Sequence, residues 1–85
     1  MEEVCIGMKD LRNYVMACIH SLSDHDSVKI LARGSHIKTA VDAAEIVKRK
    51  SDNLISIVEI SSEKYNDRWV SAIEIVLRPE DIRVT

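Results

Sequence analysis

The chain has 85 residues, of which 46% are hydrophobic and 31% charged, a balance typical of one globular domain rather than of a disordered or fibrous protein. Twelve Lys and Arg against fourteen Asp and Glu give a net charge of −2, which argues against a general affinity for polyanions. Any nucleic-acid site must therefore be a local cationic patch.

The N-terminus, MEEVCIGMKD, carries acids where a signal peptide would be basic. No apolar run approaches the ~20 residues that a membrane span needs. These two features predict a cytoplasmic protein that has no membrane partner. The length of the chain predicts that residues 1–85 form a single domain.

The first third of the chain predicts a strand followed by a helix. VCI (4–6) is a short apolar run that Gly7 ends. From residue 11 the apolar residues recur at helical spacing, and Asp10 is placed to cap that helix with its side chain. The polar segment SDHDS (23–27) predicts a loop. The inward stripe of the helix is expected to be Leu11, Tyr14, Val15, Cys18, Ile19 and Leu22.

A second strand and a second helix come next. VKILA (28–32) is apolar enough for a strand that is buried against helices, and Gly34 ends it. Ser35 is expected to cap the following helix. The helix should turn one apolar stripe inward and its charged residues outward. That stripe is predicted to be Ile37, Ala40, Val41, Ala44 and Val47.

The last part of the chain predicts a β-hairpin. LISIVEISS (54–62) and RWVSAIEIVLR (68–78) are rich in β-branched residues and flank the polar turn EKYND (63–67). Pro79 should end the pairing, which leaves EDIRVT as a short tail. Both faces of the second strand are partly apolar, so the face that the helices leave open is expected to meet a second subunit.

The predicted order β-α-β-α-β-β implies a two-layer α/β sandwich with a four-stranded mixed sheet and two helices on one face. The first two strands should be parallel, which places both strand-to-helix turns at one sheet edge. Helix N-termini present unpaired backbone N–H groups, and with Lys9, Arg12 and Arg33 they would suit phosphate. Ordinary capping beside solvated charges explains the same residues, and the sequence leaves both readings open.

Other chemistry has less support. Cys5, Cys18, His20 and His25 lack the paired spacing that zinc sites use, and both cysteines are expected to be buried, unpaired thiols. Neighbouring serines and histidines do not by themselves make a nucleophilic dyad. These residues therefore give little support to a metal site or a catalytic site.

Three separated blocks, IGMKDLRNYVMA, KILARGSHIKTAVDAAEIVKR and WVSAIEIVLR, resemble the Alba family of small archaeal chromatin and RNA-binding proteins in order and spacing. The resemblance implies a β-α-β-α-β-β domain that dimerises, binds double-stranded DNA and RNA without strong sequence preference, and has neither catalytic site nor cofactor. With the cations near the predicted site, it gives the candidate nucleic-acid-binding residues Lys9, Arg12, Asn13, Tyr14, Arg33, Gly34, Ser35, Lys64 and Arg68.

The chain departs from the family pattern at three positions in the two strand-to-helix turns. Met8 stands where a second lysine is usual, Asp10 where proline is frequent, and Ser35 where a second basic residue commonly follows the glycine. The resemblance is therefore to a divergent, acidic Alba, and fewer phosphate contacts predict weaker binding with a shallower salt response.

Three functions remain to be compared. The first is a chromosome- or RNA-associated nucleic-acid binder that acts as a homodimer or as a heterodimer with a more basic Alba paralogue. The second is a protein-interaction module that kept the fold and lost most nucleic-acid affinity. The third, a nuclease, lacks a metal or acid-base constellation in the sequence.

Overall fold

The computed structural model describes residues 1–80, so most of the predicted tail, residues 81–85, lies outside the described part. The sheet has the order β1-β2-β4-β3, in which β1 and β2 are parallel and the other pairs antiparallel. The predicted order β-α-β-α-β-β and the parallel first pair are confirmed. The elements are β1 (Glu2–Cys5), α1 (Leu11–Asp24), β2 (Val28–Arg33), a 3₁₀ turn (Gly34–His36), α2 (Ile37–Lys50), β3 (Leu54–Tyr65) and β4 (Arg68–Pro79).

Both helices cover the same face of the sheet. α1 packs on β1 and β2, and α2 packs on β2 and β4. The predicted stripe of α1 is confirmed, since each of its residues is buried or packs against the core. The core between the two layers consists of Ile6, Tyr14, Val15, Cys18, Val28, Ile30, Ala32, Ala40, Ala43, Ala44, Val47, Ile73, Ile75 and Leu77.

In α2 the prediction that Val41 points inward is wrong, because its side chain is 41% exposed while Ala43 is fully buried. Lys48, two helical turns after Val41, reaches from α2 to β3 with its Nζ 3.4 Å from the Ser56 Oγ. Val41 therefore lies on the β3 side of α2, where no helix of the described residues packs. Ala43 faces inward together with the predicted Ala40 and Ala44, and these three small side chains let the helix lie close to its neighbours.

Both predicted side-chain caps are also wrong. Asp10 does precede α1, but its side chain makes no capping hydrogen bond, and its carbonyl oxygen accepts from the Asn13 N–H at 3.0 Å. Ser35 lies within the 3₁₀ turn, and His36 is the residue that precedes α2. The Ile37 N–H donates to the Gly34 carbonyl, so the 3₁₀ turn meets part of the need that a side-chain cap would have met.

The hairpin is longer than predicted, and the expectation that EKYND forms its turn is wrong. β3 continues to Tyr65 and β4 begins at Arg68, which leaves Asn66 and Asp67 as a two-residue turn with φ of 48° and 62°. Asn and Asp tolerate this left-handed backbone better than most residues, so the strands can pair up to the turn. Because β2 ends opposite Ala72, the segment Glu63–Val70 projects beyond the rest of the sheet, and we call it the arm.

The two cysteines differ in their surroundings. Cys18 is fully buried in α1, and burial raises the pKa of its thiol to about 11. Cys5 is exposed, which contradicts the expectation of a buried residue. Since Ile6 points to the helices, the period of two turns Cys5 to the open face of the sheet. Both thiols are free, as predicted.

Three exposed apolar side chains of the hairpin lie on the helix side of the sheet, while Ile57 and Tyr65 are exposed on the open face that the sequence pattern favoured. Val58 and Ile60 pair across the sheet with the buried Ile75 and Ile73, so they share that side. Neither helix covers them, and Ile60 is 72% exposed. Together with Trp69 on the same side of β4, 71% exposed, and Val41 of α2, they form what we call the apolar patch: Val41, Val58, Ile60 and Trp69.

Candidate nucleic-acid interface

The two strand-to-helix turns lie side by side at one edge of the sheet, as predicted. β1 and β2 run parallel, and the Ile6 N–H donates to the Leu31 carbonyl at 2.8 Å where the chain leaves β1. The turn before α1 contributes Lys9, and the turn before α2 follows Arg33. The carboxyl ends of these neighbouring strands therefore bring cations that are distant in the sequence to one edge.

The turn before α1 is held from below by Tyr14. The phenol oxygen of Tyr14 accepts hydrogen bonds from the Gly7 N–H at 2.7 Å and from the Lys9 N–H at 2.9 Å, and the residue is only 6% exposed. The expectation that this turn offers unpaired N–H groups to an anion is therefore wrong for these two amides. A phosphate at this turn would meet the exposed side chains of Lys9, Arg12 and Asn13 instead.

Tyr14, a predicted nucleic-acid-binding residue, thus lies beneath the candidate surface rather than on it. Its place on the inward stripe of α1 gave a sequence signal for burial. No sequence signal indicated its hydrogen bonds to the preceding turn, because the hydroxyl accepts from backbone N–H groups five and seven residues earlier in the chain.

The turn before α2 begins at Arg33, whose Nε donates to the Glu63 Oε1 at 2.6 Å. The pair is exposed, with 65% of the Arg33 side chain and 46% of the Glu63 side chain accessible. Gly34 follows with φ of +55°, and Ser35 is exposed. A Cβ at Gly34 would lie 3.7 Å from the Val70 Cγ1, so space is available and the backbone conformation is what favours glycine.

Lys64 and Arg68 are exposed on the arm, but they lie on opposite sides of it. Lys64 pairs with Trp69 and therefore shares the side of the apolar patch. Arg68 pairs with Tyr65 and shares the open face with Glu63 and Arg33. Of the two arm cations, only Arg68 is on the same face as Arg33.

The open face of the sheet carries carboxylates as well as the cations Lys29, Arg33 and Arg68. A shallow groove of about 460 Å³ crosses it, and Glu59, Glu63 and Glu74 contribute to its lining. The Glu74 Oε1 lies 3.4 Å from the Lys29 Nζ, while Glu59 forms no ion pair within residues 1–80. Glu63 was missed as a site residue because its partner lies thirty positions earlier, and only the pairing of β4 with both β2 and β3 reveals their proximity.

The candidate cations other than Arg33 are available to a ligand. Within the described part of the chain, none of them forms an ion pair. No group of three His, Cys, Asp or Glu residues there is arranged to hold a metal ion. Neither of the two described helices is long and apolar enough to cross a membrane. The cations without an ion pair are Lys9, Arg12, Lys64 and Arg68.

The family model described as Alba matches residues 2–64. Among curated relatives, DNA/RNA-binding protein Alba of Methanothrix thermoacetophila is 42% identical over 81 residues, which cover 87% of this chain and 91% of the relative. The protein of the same name from Nitrosopumilus maritimus is 38% identical over 85 residues, covering 91% of this chain and 90% of the relative.

Solved structures give the same result. Alba from Thermoplasma volcanium superposes with a TM-score of 0.74 at 29% identity, covering 89% of this chain and 98% of that one. ALBA1 from Trypanosoma brucei gives a TM-score of 0.73 at 26% identity and covers 93% of this chain and 70% of its own. The observed β-α-β-α-β-β sandwich matches these Alba structures.

Proposed function

The chain belongs to the Alba family, and we propose that it is a non-catalytic, single-domain protein that dimerises and binds double-stranded DNA or RNA through the phosphates, with little sequence preference. The observation that carries the proposal is the gathering of Lys9, Arg12 and Arg33 at one sheet edge in an otherwise acidic chain. Relatives named DNA/RNA-binding protein Alba support the choice of ligand. The same chemistry suits a chromosome- or RNA-associated protein.

Phosphate contacts from side chains account for both the weak sequence preference and the expected salt dependence of the affinity for nucleic acid. Such contacts fix a protein on nucleic acid without reading bases. About four contacts per chain would give a logarithmic salt slope near −3.6, equivalent to a loss of about 150-fold in affinity between about 50 and 200 mM salt. Asn13 and Ser35, both exposed, would add neutral hydrogen bonds to the same backbone.

The dimer is supported by the apolar patch. Val58, Ile60 and Trp69 stand clear of the helices of their own chain, and Val41 adds to them from α2. A patch that extends over a helix and a hairpin can pack against its own copy around a twofold axis. The second chain would be an identical copy or a more basic Alba paralogue.

A titration of labelled duplex DNA and of structured RNA tests the proposal, with fluorescence anisotropy recorded at several salt concentrations. Lys9→Ala and Arg33→Ala should each weaken binding to all sequences alike and make the salt slope shallower by about one unit. Lys50→Ala is the matched control, because it removes an exposed cation at the far end of α2. Circular dichroism should show all three variants folded.

The result that would sink the proposal is a parent protein that binds neither polymer at low salt. Variants at Lys9 and Arg33 that bind like Lys50→Ala would instead show that the edge is not the site. The acidic groove on the open face favours the second candidate, a protein-interaction module with little nucleic-acid affinity. Absence of binding at low salt, together with an intact dimer, is the outcome that candidate expects.

A further inference from the structure

The ion pair between Arg33 and Glu63 joins the body of the domain to the base of the arm. Arg33 ends β2 opposite Ala72 of β4, and Ala72 in turn pairs with Ser61 of β3. Glu63 lies two residues beyond Ser61 on the same face. The Arg33 side chain therefore passes over β4 to reach a carboxylate on the next strand, with 2.6 Å between Nε and Oε1.

Glu63 also lies between two candidate phosphate contacts. Along the open face of the hairpin, the pair of Tyr65 with Arg68 comes two residues after the pair of Glu63 with Val70. Each such step is about 6.8 Å in an antiparallel strand. Because the Arg33 Nε lies 2.6 Å from Glu63, a polyanion that contacts both Arg33 and Arg68 passes close to the Glu63 carboxylate.

We propose that Glu63 is an intramolecular competitor for Arg33, so that nucleic acid binds at this edge by exchanging a carboxylate for a phosphate. This inference rests on the function proposed above. A carboxylate and a phosphate present similar acceptor oxygens to a guanidinium, and only one of them can occupy the Nε side. Exchange releases Glu63 from Arg33 and thereby frees the base of the arm from its tie to β2.

The exchange makes Glu63 a residue that sets affinity and ligand choice. A ligand that contacts Arg33 alone replaces the exposed Arg33–Glu63 ion pair with an exposed Arg33–phosphate pair. Such a ligand therefore gains little binding free energy. A longer backbone that reaches Lys9, Arg12 and Arg68 as well offsets the loss of the internal pair through those further contacts. Glu63 thus favours extended phosphate backbones over isolated phosphate groups.

The test is a double-mutant cycle on Arg33 and Glu63, read by anisotropy with duplex DNA at about 50 mM salt. Glu63→Gln should tighten binding about two- to fivefold, the range typical of an exposed ion pair, and steepen the salt slope. Glu59→Gln is the matched control, since it removes the same charge from the same strand and face without touching Arg33. When Arg33 is already replaced by Ala, Glu63→Gln should increase the affinity for duplex DNA no more than Glu59→Gln does.

A second readout follows the pair directly. The ¹⁵N and ¹H resonances of the Arg33 Nε–H should move in Glu63→Gln without ligand, stay unchanged in Glu59→Gln, and move in the parent when duplex is added. Equal affinities of Glu63→Gln and Glu59→Gln in a parent that does bind would overturn the exchange and leave the proposed function standing. If neither the parent nor any variant binds the duplex, the proposed function is wrong, and the exchange that rests on it is wrong as well.

Discussion

Replacing Gly34 tests whether backbone conformation or space fixes the turn beneath the candidate site. The φ of +55° lies in the left-handed region, where a residue with a Cβ is disfavoured by about 1–2 kcal/mol. Since an added Cβ would meet only the Val70 Cγ1 at an ordinary 3.7 Å, no steric clash adds to this. Gly34→Ala should therefore destabilise the fold by about 1–2 kcal/mol, and a domain of this size would lose about 4–16 °C in Tm.

The other glycine provides the control. Gly7 lies outside the left-handed region, and a Cβ there would lie 3.5 Å from the Tyr14 Oη, so Gly7→Ala should change stability by less than about 0.5 kcal/mol. Gly34→Asn should be milder than Gly34→Ala, because asparagine adopts the left-handed conformation more readily, and Gly34→Val should be the most destabilising.

Thermal unfolding by circular dichroism at one fixed protein concentration gives the comparison, because the proposed dimer would make Tm depend on concentration. The reasoning is refuted if Gly34→Ala is as stable as the parent, or if Gly34→Asn is as damaging as Gly34→Val. Binding by the fraction that remains folded should be unchanged in the alanine variant, since no cation is removed.

Three further predictions follow from the described residues. Sedimentation at micromolar concentration should give twice the 9.6 kDa of one chain, and Ile60→Lys should shift it to monomer; a parent that sediments as a monomer would contradict the apolar patch as a dimer surface. Iodoacetamide at pH 8 should label Cys5 in the native protein but not Cys18, whose raised pKa of about 11 keeps it protonated until the solution is strongly alkaline; mass spectrometry that finds both labelled would count against this. Asp67→Gly should stabilise the hairpin by about 0.5–1 kcal/mol because its φ is 62°, whereas Asp67→Asn, which removes the same charge, should gain less; equal Tm values would argue against backbone strain at that turn.

The fold was predictable because its elements are encoded locally. The helical spacing from Leu11 to Leu22 and the β-branched runs on either side of residues 63–67 each indicate one element, and their order admits few topologies. Whether Val41 is buried depends on which neighbouring elements cover its side of α2. The local sequence pattern does not indicate this. The missing caps have a similar origin, since a 3₁₀ turn took the place of the cap expected at Ser35.

The candidate site was predictable only in part. The two turns could be placed at one edge because parallel strands require it, and that argument found Lys9 and Arg33. Glu63 could not be found in this way, since its contact with Arg33 depends on the register of two strand pairs. The depth of Tyr14 follows from its place on the inward stripe, but its hydrogen bonds to the turn follow from tertiary packing alone.

The buried phenol of Tyr14 also links the dynamics of the turn before α1 to those of the core. The amide hydrogens of Gly7 and Lys9 belong to a surface turn, yet both are bonded to an oxygen whose ring is packed among core side chains. In hydrogen exchange they should therefore open with the cooperative unit that includes α1, rather than with the fast local fluctuations typical of exposed turns. The turn that carries Lys9 would then be in place before any ligand arrives, and little ordering entropy would oppose binding there.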